Sequence, residues 1–195
     1  MLDKKSLTIA IVCYSNMNRS MNAQCFLTAK GYNVKSYGVG DTVQIAGKTP
    51  DKPNVYEFGT TFDAIYQDLV RKDKKFYEET GLLEIVDRNR AIKRRPERFQ
   101  DCNEQFDIII TVQEYIYDLV VEFIAAHEVT QSRPVHIINL NIEDSLEMAN
   151  YGSFLISDIL GMVIKTYDLA SNIKSILRDF EVRNKMETKH IMQYY

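Results

Sequence analysis

Cys13 and Arg19 stand six positions apart, and Ser20 follows directly, in the run Cys13-Tyr14-Ser15-Asn16-Met17-Asn18-Arg19-Ser20. A thiolate can attack phosphorus only if a dianionic phosphate is held against it. Backbone N–H groups of Tyr14, Ser15, Asn16, Met17 and Asn18, turned inward, would hold that anion, and Arg19 would offer a planar fork of donors to its equatorial oxygens. Lysine cannot copy that geometry. Ser20 can give its hydroxyl proton to the sulfur and help it leave in a second step. The competing account is a small buried thiol at a strand end, the usual fate of an intracellular cysteine.

The flanking residues decide between the two. Leu7 to Val12 is an apolar, β-branched run that reads as a buried strand, and the stretch after Arg19 reads as a helix ending at Gly31. A strand, an anion-binding loop and a helix N-terminus in that order put the positive end of the helix at the phosphate and favour the thiolate. Chance supplies a Cys and an Arg at this spacing often, but the strand, the serine and the terminated helix together only rarely.

A phosphomonoester of serine has a poor leaving group, so a general acid must protonate it. Another core strand, Val135 to Leu140, runs into Asn141-Ile142-Glu143-Asp144, which puts both Glu143 and Asp144 in the right region. Spacing does not choose between them. Either could equally be a solvated loop carboxylate.

Around these residues the elements alternate. Tyr32 to Tyr37 reads as a strand, and residues 38 to 58, rich in Gly and Pro, as a long functional loop. Phe62 to Arg71 and Phe76 to Asn89 have helical patterns, with Gly81 as a break. Phe106 to Thr111 is a strand apolar enough to be covered on both faces. Gln113 to His127 is helical, with Ile116, Leu119, Val120, Phe123 and Ile124 on one stripe. Phe154 to Asn184 predicts two helices joined near Asp168, and the terminal HIMQYY a possible edge strand. The expected architecture is α/β, an open and mostly parallel sheet flanked by helices, with the phosphate loop at the carboxyl end of the first strand.

At 195 residues the chain is expected to form a single phosphatase domain over positions 1 to 195. No segment reads as a membrane span or a signal peptide. Three widely spaced cysteines, Cys13, Cys25 and Cys102, suggest free thiols in a reducing compartment. Zinc-ligand spacing is absent, and no metal or other cofactor is expected. A net charge of −3 gives no case for direct nucleic-acid binding. The local exception, Arg88, Arg90, Lys93, Arg94, Arg95 and Arg98, reads first as a solvated face and second as a site for an acidic or phosphorylated partner.

The blocks CYSNMNRSM, DKPNVYEFGT (Asp51 to Thr60), VDRN (Val86 to Asn89), RPERFQ (Arg95 to Gln100), QFDIIITV (Gln105 to Val112) and RPVHIINL (Arg133 to Leu140) run nearly end to end. In them the chain resembles the symplekin-associated phosphatases of the RNA polymerase II C-terminal domain, distant relatives of the low-molecular-weight tyrosine phosphatases. The resemblance is closest to the insect members and suggests a diverged paralogue. It implies a low-molecular-weight-phosphatase-like fold with extra helices, and removal of phosphate from the fifth-position serine of the heptad repeat before a cis proline. It implies action in transcription and mRNA 3′-end processing, a nuclear location, and two partners, the phosphorylated C-terminal-domain peptide and a symplekin-type scaffold. By resemblance Cys13 is the nucleophile, Arg19 the phosphate clamp and Asp144, not Glu143, the general acid. Asn16 and Asn18 match asparagines that brace the phosphate cradle. Ile45, Ala46, Tyr77 and Ile85 would form the groove for the substrate proline.

Departures from the family pattern cluster near the site. Asn22 and Gln24 stand where relatives carry Glu and His, Ile45-Ala46 where they carry Leu-Pro, Ile85 where they carry Met, and Asn141 where they carry Asp. Loss of a carboxylate at position 141 is expected to move the acid limb of the pH–rate profile downward. Three other readings compete. A low-activity paralogue would act mainly by binding phosphopeptide or symplekin. A plain low-molecular-weight tyrosine phosphatase would carry Asp-Pro, whereas Ser145 follows Asp144 here. An arsenate reductase would need relay cysteines, and Cys25 and Cys102 have unremarkable contexts.

Overall fold

A computed structural model describes residues 1–127 and 132–195. In chain order its elements are β1 (Thr8–Cys13), α1 (Arg19–Ala29), β2 (Asn33–Gly38), β3 (Val43–Ile45), β4 (Asn54–Tyr56), α2 (Phe62–Glu79), α3 (Leu82–Ile92), a short 3-10 turn (Phe99–Asp101), β5 (Ile108–Thr111), α4 (Glu114–Ala125), β6 (Pro134–Leu140), α5 (Leu146–Val163), α6 (Leu169–Asn184) and β7 (Thr188–Tyr194).

Ile9 to Val12, Ile108 to Ile110, and Ile137 with Ile138 are at most 1% exposed. Side chains on both faces of these strands are therefore covered, as parallel strands wrapped by helices require. The sheet order is β2-β1-β5-β6-β7. β1 pairs in parallel with β2 (Cys13 opposite Gly38) and with β5 (Val12 opposite Thr111). β5 pairs in parallel with β6, and β7 closes the edge antiparallel to β6, with Ile191 opposite Ile137. The chain reverses its direction of travel across the sheet at β1, so a crevice opens at that strand's carboxyl end. Helix α1 runs from this crevice and packs against α5. It ends at Gly31, whose φ of 84° is cheap for a residue without Cβ. Among the described residues no helix is long and apolar enough to cross a membrane.

A second apolar cluster forms the wall above the crevice. Met17 and Met21 pack there with Val43, Ile45, Phe62, Ile65, Leu69, Tyr77, Leu83 and Val86. Its elements differ from the sequence reading. The expected loop of residues 38 to 58 contains the antiparallel ribbon β3–β4, Val43 opposite Tyr56 and Ile45 opposite Asn54. Each strand has three residues, too few for an alternation to register. Helix α2 continues across the gap read between Arg71 and Phe76 but kinks at Asp73 (φ −170°, ψ 89°), whose Oδ1 accepts from Phe76 N at 3.1 Å and restarts the helix. Gly81, at φ 73°, separates α2 from α3, as its position in the sequence suggested. Helix α5 begins at Leu146, eight residues before the expected Phe154, because Ser145 caps it with Oγ accepting from Met148 N at 3.1 Å. The possible edge strand is present and spans seven residues.

Candidate active site

Residues 13 to 20 bridge the end of β1 and the start of α1, so the positive end of α1 faces the loop. The Cys13 side chain is buried. Its Sγ accepts from Asn16 N at 3.2 Å and lies 3.0 Å from Ser20 Oγ. Asn16 takes φ 52°, a left-handed conformation that asparagine tolerates better than most residues. Its Oδ1 accepts from Glu97 N at 2.9 Å, which fixes the amide orientation and directs Nδ2 to Ser20 Oγ (3.0 Å) and Ser36 Oγ (2.9 Å). Because Ser20 Oγ receives a hydrogen bond from Asn16, its own proton is free to point at the Cys13 sulfur. Ser36 Oγ donates in turn to Gln24 Oε1 at 2.6 Å. Gln24, noted as a departure in the sequence, thus anchors the far end of this chain of polar groups.

Other loop residues are fixed from the sides. Ser15 Oγ accepts from Gln44 N at 2.9 Å, tying the loop to β3. Gly38 passes so close that a Cβ there would meet Tyr14 O at 2.6 Å and Asn16 N at 2.9 Å. Met17 is buried and lines the pocket.

Arg19 is 6% exposed. Its Nη1 donates to Ile142 O at 2.8 Å, and its Nη2 lies 3.4 Å from Asp144 Oδ2. Nε is buried and has no acceptor among the described residues, so it is available to an oxyanion. Asp144 is exposed, and its Oδ1 accepts from Asn18 Nδ2 at 3.0 Å; the same amide donates to Ser145 O at 3.2 Å. Asp144 therefore reaches the loop through two residues. Glu143 makes no such side-chain contact among the described residues and does not line the pocket.

Cys13, Ser15, Met17, Asn18 and Asp144 open into a cleft of about 300 Å³. Its opposite wall is apolar, formed by Ile45, Ala46, Phe76, Leu82, Ile85, Val86 and Leu146. Ile45, Ala46 and Ile85, three of the four residues the resemblance assigns to a proline groove, line this cleft. Tyr77 does not line the cleft. It is 3% exposed, and its hydroxyl accepts from Asn54 Nδ2 at 2.9 Å, an amide that also donates to Ala46 O at 3.2 Å. Tyr77 supports the groove from behind, and its neighbour Phe76 provides the surface.

Asn141 is turned away from Asp144. Its Oδ1 accepts from Glu114 N at 3.0 Å and from Asn139 Nδ2 at 3.0 Å, capping the first turn of α4. A carboxylate there would sit on a helix N-terminus, whose positive end offsets its charge. The like-charge effect expected from the sequence is correspondingly weakened.

The basic cluster is only in part the solvated face favoured from sequence: Arg90, Arg94 and Arg95 are exposed, whereas Arg88, Lys93 and Arg98 are partly buried. Lys93 is half-buried under the loop, with Nζ 2.6 Å from Ser36 O and 2.7 Å from Glu97 Oε2, and burial pulls it below the ordinary lysine range. Arg88 and the buried Asn89 reach the loop carbonyls directly: Asn89 Nδ2 donates to Met17 O at 2.7 Å and Arg88 Nη2 at 3.2 Å. Sequence reasoning assigned no role in the site to either residue. The one available signal was the block Val86 to Asn89 within the resemblance.

The chain matches the model of the family described as Ssu72-like protein over residues 7–195. It is 44% identical over 189 residues to the RNA polymerase II C-terminal domain phosphatase SSU72 of Homo sapiens, and 44% identical over 191 residues to the ssup-72 phosphatase of Caenorhabditis elegans. Each alignment covers 97% of both chains. Among solved structures it is similar to Drosophila melanogaster Ssu72 in complex with Symplekin and a cis peptidomimetic of the C-terminal domain carrying phosphate on its fifth-position serine. That match has a TM-score of 0.94 and 49% identity over 98% of this chain and 100% of the other. A crystal structure of the Drosophila melanogaster serine phosphatase of the polymerase C-terminal domain gives a TM-score of 0.95 and 50% identity, covering 97% and 100%.

Proposed function

The chain belongs to the Ssu72-like family, and on that footing we propose that it removes phosphate from the fifth-position serine of the RNA polymerase II C-terminal-domain heptad. The reaction passes through a phosphocysteine, and the proline after the serine is bound in the cis form. The observation that carries this reading is that Cys13 and Asp144 line one cleft with an apolar wall, and that the buried Arg19 fork lies directly behind it, with Nη2 3.4 Å from Asp144 Oδ2.

Cys13 attacks in line while Arg19 and the loop amides stabilise the equatorial oxygens, and Asp144 protonates the departing serine oxygen. Water then hydrolyses the phosphocysteine as Asp144 takes a proton and Ser20 stabilises the leaving sulfur. Tyr14, Ser15, Asn16, Met17 and Asn18 form the cradle. Ile45, Ala46 and Ile85 hold the proline, joined by Phe76 and supported by Tyr77. Residues 1 to 195 act as one phosphatase domain. A symplekin-type scaffold is the protein partner, the polymerase substrate implies work in the nucleus, and the product feeds transcription and 3′-end processing.

The test is phosphate release from heptad peptides phosphorylated singly at the second, fifth or seventh serine, with a phosphotyrosine peptide and Cys13→Ser protein as controls. Release confined to the fifth position and lost in Cys13→Ser is the expected result. Binding without turnover would assign a capping role instead, and a preference for phosphotyrosine would reassign the substrate.

A further inference from the structure

A loop that receives an anion through its N–H groups must turn the matching carbonyls outward, and each buried outward carbonyl needs a donor. Here the donors come from two sides. Cys13 O and Tyr14 O accept from Val39 N and Gly40 N, both at 3.0 Å, and Asn18 O accepts from Asn22 N at 2.8 Å within the first turn of α1. No backbone amide among the described residues reaches Met17 O. Its donors are Asn89 Nδ2 at 2.7 Å and Arg88 Nη2 at 3.2 Å, from the middle of α3. In a trans peptide the N–H opposes the C=O, so a Met17 carbonyl pulled toward α3 sends the Asn18 N–H the other way, toward the cleft.

Arg88 also sets the orientation of Asn89. Its Nε and Nη2 donate to Asn89 Oδ1 at 3.2 and 3.0 Å, leaving Nδ2 to face Met17 O. The remaining nitrogen, Nη1, donates to Asn22 Oδ1 at 2.8 Å. All these acceptors are neutral, and no carboxylate lies within ion-pair distance of Arg88 among the described residues. Three of the neighbouring cations differ: Lys93 pairs with Glu97, Arg90 with Asp63 and Asp87, and Arg98 with Asp41, while Arg94 and Arg95 are exposed to solvent. Arg88 thus brings a charge with no ion-pair partner against the back of the loop; Glu84, one turn earlier on α3, favours that charge from a distance, and arginine keeps it even where burial disfavours it.

We propose that Arg88 is a positioning residue for the phosphate group: its fork orders Asn89 and the Met17 carbonyl so that the Asn18 N–H faces the anion, and its unpaired charge strengthens the field that holds the dianion. This rests on residues 13 to 20 being a phosphate loop.

The test compares wild type with Arg88→Met, Arg88→Lys and Asn22→Asp, using p-nitrophenyl phosphate as substrate and inorganic phosphate as competitive inhibitor. Arg88→Met should raise both KM and the inhibition constant of phosphate about tenfold, the loss of one charge-assisted contact. Arg88→Lys keeps the charge without the fork and should recover part of that loss. Asn22→Asp keeps an acceptor for Arg88 but neutralises it, and should weaken phosphate binding severalfold. A merely structural role would lower the folded fraction, and so kcat, while leaving the inhibition constant unchanged. Inhibition constants within twofold of wild type in both Arg88→Met and Asn22→Asp overturn the proposal; if Arg88→Met does not fold, Arg88→Lys and Asn22→Asp decide by the same criterion. Wild type that shows no Cys13-dependent turnover overturns the phosphate-loop reading and this proposal with it. Active wild type with unchanged variants overturns this proposal alone.

Discussion

Cys13 is buried at the end of an apolar strand, yet two polar groups meet at its sulfur, the Asn16 backbone amide and the Ser20 hydroxyl, and the Asn16 side chain in turn orients Ser20. Oxygen at this position keeps the cradle but is a far weaker nucleophile than a thiolate. Cys13→Ser should therefore abolish phosphate release while retaining phosphopeptide affinity, as titration calorimetry would show; turnover above background would exclude a phosphocysteine. Asp144 lies between Asn18 and Arg19 at the mouth of the cleft, placed to protonate a leaving group. Asp144→Asn should lower kcat on a phosphoserine peptide about 10²-fold or more, but much less on p-nitrophenyl phosphate, whose leaving group needs no proton. Equal losses on both substrates would remove Asp144 from the acid role. At this scale much was legible, because Cys13, Asn16, Arg19 and Ser20 lie within eight residues of chain. Arg88 and Asn89 were not, since they meet the loop across about 70 residues and no local pattern marks such a pairing.

Elements are legible in the sequence where a long apolar run dictates them and hidden where a single cap or close approach does. The first turn of α5 exposes Leu146 and carries Glu147, so its sequence shows no stripe, and Ser145 alone starts the helix. Ser145→Ala should cost about 1 kcal/mol, measured by denaturant unfolding. Within the same helix Gly152 faces Ile142, whose side chain a Cβ would meet at 2.5 Å. Ile142 is also the residue whose carbonyl holds Arg19. Gly152→Ala should therefore improve helix propensity yet lower kcat/KM about tenfold by displacing that carbonyl, a loss out of proportion to any change in Tm. Unchanged kcat/KM would mean that Ile142 repacks without moving its backbone.

The whole sheet depends on its last strand for closure, and β7 brings little apolar surface: Lys189, Ile191, Met192 and Tyr194 are exposed. Its inward contact is polar. His190 Nε2 lies 3.1 Å from Nδ1 of the buried His136 across the β6–β7 ladder, with the rings stacked. Asp107 faces His136 and favours its charge, while Lys174 faces His190 and opposes it. Burial is the larger influence on both and holds both imidazoles neutral, lowering His136 from its ordinary value and His190 from 6.5 to about 4. Below pH 6.5 the unfolded chain therefore binds protons that the folded chain refuses. Stability from this pair is complete above about 6.5 and is lost as pH falls toward about 4, where His190 charges in the folded chain too. Discounted for the partial exposure of His190, the loss is on the order of 1–2 kcal/mol. Asp107 is held below 3.8, against its own burial, by Arg133 and Thr8, so its contribution disappears only at lower pH. Unfolding free energies at about pH 7.5, 6 and 5 should fall in wild type and fall less steeply in His190→Gln. Parallel slopes would mean that β7 separates from β6 before either histidine takes a proton.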